Sequence, residues 1–256
     1  MQLIPEVKFA LALLEKRKIR DKEGKFVVEG DHLVMEAGNR VEFVIYHKET
    51  PGVKWALGRK FPAYKVSQRE FEKISQVVTP QGILAVVKKR QDPIESLFKA
   101  ANPFVIFCDG IRDPGNLGTI IRGADAAGAA GVLLSSGCAE LYNQKVIRST
   151  QGSLFHLPIL EVGPAETQII KLKQKGLKVV AADAKGQAYW SAGLSGPLAI
   201  VVGNEGAGLS DEVLAICDEV VSIPMPGKAE SLNAAMAANI LMYEVLRQRW
   251  SKESKQ

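Results

Sequence analysis

The sequence predicts an α/β protein of two domains: a small α/β domain, then a larger doubly wound parallel sheet flanked by helices. Three observations predict it. A chain of 256 residues is long enough for two cores at about 100 to 200 residues per domain. Its second half alternates helical segments with short runs apolar on both faces, the pattern of buried parallel strands. Between the halves lies KKRQDPIESLFKAANP, polar and bounded by proline, as a domain junction is. The domains are therefore placed at 1–95 and 104–256, with a linker at 96–103.

Element by element, a helix is expected over Ile4–Lys18, with Val7, Leu11 and Leu14 on one face at helical spacing. Strands follow at Phe26–Glu29, Val41–Tyr46, Ala63–Val66 and Gly82–Val87, with a helix at His32–Ala37. In the second half the strand-like runs are Phe104–Cys108, Gly131–Leu134, Leu177–Ala181, Leu198–Val202 and Val220–Ile223. A final helix is expected to start at Ser231 as N-cap and to bury Leu232, Met236, Ile240 and Tyr243.

Composition narrows the function. Three scattered cysteines, none in a CxxC pair, argue against a disulfide framework or a zinc ribbon and fit a reducing cytosol. The longest stretch without charge, Gly186–Asn204, is broken by Gly, Ser, Gln and Pro, so no membrane span is expected. The N-terminus lacks the basic lead of a signal peptide, so the mature chain is expected to begin at or near Met1. His32, His47 and His156 are far apart without clustered carboxylates or thiols, so no metal site is expected. No GxSxG elbow is present to support hydrolase chemistry.

The net charge of +5 is uneven: residues 1–100 carry 19 basic and 13 acidic side chains, and the remainder 14 and 15. The densest basic cluster is Lys16, Arg17, Lys18, Arg20, Lys22 and Lys25. Such a cluster suits a phosphate backbone, since each contact releases condensed counterions, or is a solvated helix end favoured by the macrodipole; Lys16, Arg17, Lys18, Arg20 and Lys22 are the candidate nucleic-acid contacts.

In a doubly wound sheet, ligands bind beyond the carboxyl ends of the strands, and three loops there are unusual. DGIRDPGNLGTIIRGADAAG places Asn116 at a turn into a helix and Arg122 among Ile, Gly and Ala, with Asp125 as its close helical partner. A guanidinium so placed can hold phosphate at two points. GNEGAGLSDE sets Glu205 as a lone carboxylate among Gly203, Gly206 and Gly208, which allow close backbone approach to a ligand. It is neither GxGxxG nor a phosphate loop. IPMPGKAESLNAAMAANI combines Pro224, Pro226 and Gly227 with Ser231 and with Asn233, an indifferent helix former.

In order and spacing, DPGNLGTIIRGADAAG, VVGNEGAGLS and IPMPGKAESLNAAMAANI resemble the three motifs of the SpoU (TrmH) branch of the SPOUT RNA methyltransferases over roughly residues 104–250. KRKIRDKEGKFVVEGDHLVMEA is similar to the L30e-like substrate-binding domain of rRNA-modifying members. The resemblance implies S-adenosylmethionine-dependent methylation of a ribose 2′-OH in RNA, most readily rRNA. It also implies a deep trefoil knot, an exception to the rule against knots, and a homodimer formed through the catalytic domain. It carries Asn116, Arg122, Glu205, Ser231 and Asn233 over as catalytic positions, and Gly203, Ile223, Leu232, Met225 and Gly227 as cofactor-binding ones. Arg122 would hold the phosphate beside the target ribose and stabilise charge on the attacking oxygen, since a guanidinium is too weak an acid to act as a base. Competing readings are a tRNA methyltransferase, a non-catalytic RNA-binding or ribosome-assembly protein, and, on the α/β pattern alone, a Rossmann oxidoreductase.

Overall fold

The computed structural model describes residues 3–253; the expected start at Met1 and the end of the second domain, 254–256, lie outside them. The chain divides into two compact units between Gln91 and Asp92.

In the first unit, β1 (Lys25–Glu29), β2 (Val41–Tyr46), β3 (Ala63–Lys65) and β4 (Ile83–Lys88) form a sheet in the order β1-β4-β2-β3. β4 runs antiparallel to β1 and β2, while β3 is parallel to β2. The helices are α1 (Pro5–Glu15), α2 (Arg17–Glu23), α3 (Asp31–Glu36), α4 (Pro51–Gly58) and α5 (Gln68–Ile74). Ser67 and Glu70 close a reciprocal capping box on α5.

The single helix expected over Ile4–Lys18 is two helices, because Lys16 is extended (φ −121°, ψ 109°). α1 buries Val7, Ala10 and Leu13, while Leu11 and Leu14 lie half-buried at the edge of the same core. The break turns Arg20 inward. Only 6% exposed, it donates from Nη1 to the Leu13 carbonyl at 2.5 Å and the Leu14 carbonyl at 3.0 Å. It thus serves carbonyls near the end of α1 and is withdrawn from the expected RNA-facing set; Lys16, Arg17, Lys18 and Lys22 are exposed.

In the second unit, β5 (Phe104–Cys108), β6 (Gly131–Leu134), β7 (Ile159–Glu161), β8 (Lys178–Ala188), β9 (Leu198–Val202) and β10 (Glu219–Ser222) form a sheet ordered β10-β8-β9-β5-β6-β7. Every pairing is parallel. The helices are α6 (Pro114–Ala126), α7 (Gln144–Thr150), α8 (Ala165–Gln174), α9 (Asp211–Ile216) and α10 (Ala234–Glu253). Both faces of the sheet are covered. Phe104, Ile106 and Cys108 face one core with Ile120 and Leu241, and Val105 and Phe107 face the other with Ile169. β7, a three-residue edge strand with Ile159 and Leu160 half-buried and Glu161 exposed, is absent from the expected set.

The segment expected as linker belongs to the second unit, since a 3₁₀ turn at Ile94–Phe98 seats Leu97, fully buried, in its core. α10 begins at Ala234 with Asn233 as its cap, so Ser231 lies outside the helix and is not its N-cap. The helix buries Ala235, Ala238, Leu241, Met242 and Val245, while Met236 and Tyr243 face outward. The small alanines win the inner face because α6 packs closely there: a Cβ at Gly123 would collide with the Asn239 side chain. Among the described residues no helix is long and apolar enough to cross a membrane.

Candidate active site

Strand order reverses at the neighbouring strands β5 and β9: β5 connects outward to β6, and β9 to β10 on the opposite side. Their carboxyl ends therefore flank the crevice where such sheets bind ligands. The loops after β5, β9 and β10 meet there.

Asp113 caps α6 by accepting from the Asn116 N–H at 2.8 Å, with Pro114 in the first turn. Asn116 is thus inside the helix, and its side chain is free for tertiary contacts. Its Nδ2 donates to Glu205 Oε1 at 2.9 Å, and its Oδ1 accepts from Asn233 Nδ2 at 2.7 Å. Asn233 in turn accepts on Oδ1 from the N–H groups of Ala235 and Met236, at 2.9 and 3.3 Å. One chain of hydrogen bonds so links the three loops.

Glu205 anchors it, accepting the N–H of Asp113 at 3.1 Å and of Arg112 at 3.2 Å. Burial pushes this carboxyl up, but the bond from Asn116 and the backbone donors outweigh burial and hold it below the usual Glu value. Asn204 makes the second tie between the loops. Its Nδ2 donates to the Gly110 carbonyl at 2.8 Å, while its Oδ1 accepts from Gly206 and Ala207, both at 3.0 Å.

Beside this network is a pocket of about 320 Å³, within the range of small-ligand sites. Gly203, Ile223, Met225 and Leu232 line it, together with Glu205 and Ser231. Gly203 is required sterically: a Cβ there would stand 2.5 Å from the Gly208 carbonyl carbon, backbone that cannot yield. Gly208 supplies the left-handed residue of the turn, at φ +69°. Asp183 and Glu230 also face the pocket.

Of the sequence-predicted residues, Asn116, Glu205 and Asn233 are in direct contact, and Ser231 lines the pocket. Gly227 is not among its lining residues, and a Cβ there would meet nothing within 4 Å. Arg122 stands apart, nearly two turns along α6 from Asn116. It is exposed and makes no side-chain hydrogen bond or ion pair among the described residues. Asp125, expected as its partner, is engaged by His156, with Nδ1 2.7 Å from Oδ2. The residues missed were Asn204, Asp113, Asp183 and Glu230. The Asp-Pro pair opening α6 is a cap signature that marks Asp113; nothing local marks the other three.

The fold and the site define an α/β enzyme domain that takes its ligand at the carboxyl ends of a parallel sheet. The chain belongs to the SpoU rRNA Methylase family, whose model it matches over residues 103–243. Residues 5–85 match the MRM3-like substrate binding domain. Similar proteins include the 23S rRNA (guanosine(2553)-2′-O)-methyltransferase RlmP of Bacillus subtilis, 37% identical over 91% of this chain and 92% of that protein. A 23S rRNA (uridine(2479)-2′-O)-methyltransferase of Streptomyces viridochromogenes is 34% identical over 94% and 88%. Among solved structures, the SpoU methyltransferase AviRb of Streptomyces viridochromogenes in complex with the cofactor AdoMet superposes with a TM-score of 0.87 at 30% identity, covering 97% of this chain and 99% of that one.

Proposed function

We propose that the protein methylates a ribose 2′-OH of rRNA using S-adenosylmethionine. One observation carries this reading: the Glu205–Asn116–Asn233 chain of hydrogen bonds beside the pocket lined by Gly203, Ile223, Met225 and Leu232. The pocket's chemistry fits the cofactor. Backbone of the 203–208 turn and the apolar Ile223 and Leu232 suit an adenosine, and Asp183, Glu205 and Glu230 suit a ligand carrying positive charge. When bound, S-adenosylmethionine supplies an electrophilic methyl group on a sulfonium. The family resemblance adds Gly227 to this set through its loop and implies the trefoil knot in the same loops.

The chain's own residues must align the attacking oxygen and stabilise the charge that grows on it. Glu205 fixes the backbone at Arg112 and Asp113, and through Asn116 and Asn233 ties it to the loop before α10. Ser231, with no side-chain hydrogen bond among the described residues, offers its hydroxyl to the nucleotide. Arg122, whose side chain makes no hydrogen bond or ion pair among the described residues, holds an RNA phosphate and faces the developing alkoxide. Lys16, Arg17, Lys18 and Lys22 add phosphate contacts from the first unit.

A homodimer through the second unit belongs to the same reading. It is supported by Met236, Tyr243 and Trp250, more than half exposed and seven residues apart on α10, an apolar stripe of the kind that seeks a partner. Mapping blocked 2′-OH positions in rRNA from cells with and without the gene tests the function. A ribose methylation lost with the gene and restored by wild type but not by Arg122→Ala supports it; an unchanged rRNA map contradicts it.

A further inference from the structure

We infer that the first unit grips unpaired RNA through the surface of α4 and β3, with Arg59 stacked on Trp55 as its centre. This rests on the reading of the protein as an RNA enzyme and adds a second surface to the contacts of Lys16, Arg17, Lys18 and Lys22 named there. The stretch Pro51–Gln68 contains Lys54, Arg59, Lys60 and Lys65 and no Asp or Glu. Among the described residues none of these four cations makes an ion pair or a side-chain hydrogen bond, and all are exposed. The basic cluster at α2 is different: Arg20 is buried, Arg17 pairs with Asp21 at 3.4 Å, and Asp21 also takes Lys89 at 2.7 Å. Near α2 only Lys16 and Lys18 are both exposed and without such a bond among the described residues, whereas α4 and β3 bring four such cations together with no acidic residue among them.

The aromatic geometry says what kind of RNA fits. The Arg59 guanidinium lies over the Trp55 ring at 5.0 Å, and Trp55 packs against Phe61 with centroids 5.6 Å apart and planes tilted by 31°. Beside them Leu57 is 52% exposed. A guanidinium over one ring, with a second ring beside it, gives a nucleobase planar groups to stack on, which an unpaired nucleotide can use. Lys60 occupies a left-handed conformation (φ 62°) at the end of α4, where glycine sits more readily. A surface serving only to guard the β3 edge needs lysines but not an arginine over a pair of aromatic rings.

The test uses the full chain and fluorescence anisotropy with a labelled single-stranded RNA of mixed sequence and its duplex form, across a salt series. Arg59→Glu with Lys60→Glu should weaken single-strand binding by about tenfold or more, and more than Lys16→Glu with Lys18→Glu. Each cation lost should also lower the salt slope by about 0.7. Arg59→Lys, which keeps charge but not the plane, should narrow the preference for single strand over duplex. Melting temperatures and calorimetric affinity for S-adenosylmethionine should stay at wild-type values. Unchanged RNA binding in the Arg59/Lys60 variant, or an undiminished single-strand preference in Arg59→Lys, overturns the inference. Loss of S-adenosylmethionine binding in wild type would instead overturn the methyltransferase reading and leave this result standing.

Discussion

Asn116 and Glu205, separated by 89 positions in sequence, are joined by a hydrogen bond of 2.9 Å from Nδ2 to Oε1. That bond fastens the start of α6 to the turn after β9, and Glu205 holds two further backbone donors beside it. Glu205→Gln keeps the shape but must turn an NH2 group toward one of these donors. Hydrogen bonds to a charged group are worth about 1.5–3 kcal/mol, so kcat/KM should fall about tenfold or more, read in a steady-state methyl-transfer assay.

Asn233 does two jobs that substitution can separate. It caps α10 and donates to Asn116. Asn233→Asp keeps a good cap but cannot donate, and it sets a carboxylate against the Asn116 carbonyl oxygen. It should melt within about 2 °C of wild type yet lose activity, whereas Asn233→Ala should lose activity and about 1 kcal/mol of stability. Calorimetric melting beside an activity assay distinguishes the two.

Acid should act on the same network. Glu205 and Asp113 both sit below their usual values. For Glu205, hydrogen bonds overcome burial; for Asp113, the Asn116 N–H is the main cause, with burial opposing and Lys145 assisting. A depressed carboxylate pKa contributes stability that is present above the unfolded value, near 4, and is lost as pH falls through the lower folded value. Cofactor affinity should hold from pH 7 to about 5 and fall below the normal carboxylate range, and Glu205→Gln should flatten part of that fall. Calorimetry across pH checks this.

Two glycines of the cofactor set should respond differently. Gly203→Ala drives a Cβ into the Gly208 backbone, whereas Gly227→Ala meets open space without a positive φ. The first should abolish measurable S-adenosylmethionine binding and the second should leave it within about twofold, the scale of a surface change of 0.5 kcal/mol or less.

Among the described residues Arg122 has no side-chain hydrogen bond or ion pair to lose. Arg122→Lys should leave the melting temperature within about 2 °C but lower kcat by about a hundredfold, as loss of a two-point charged contact in a transition state does. Wild-type turnover in this variant would remove Arg122 from the reaction.

How much of this the sequence disclosed depends on range. Phe104–Cys108, Gly131–Leu134 and Leu198–Val202 are strands with the expected bounds because each is apolar on both faces and needs no context. β7 escaped because three edge residues, two half-buried and one exposed, carry almost no pattern. The wrong face was chosen for α10 because large side chains drew the stripe through Met236 and Tyr243, while close packing against Gly123 favours alanine within. Arg20 looked like its basic neighbours, and only the break at Lys16 turns it inward. In the site, motif residues identified Asn116, Glu205 and Asn233. Their direct contact, however, is made by strand order over 89 and 117 positions and has no local signal.

The most direct test of the central claim is mass spectrometry of nucleosides from rRNA incubated with the purified protein and S-adenosylmethionine bearing a trideuterated methyl group. The account predicts the label on a ribose, as a 2′-O-methylnucleoside, and its absence with Glu205→Gln combined with Arg122→Ala. Label on a base, or no label above the no-enzyme control, would contradict it.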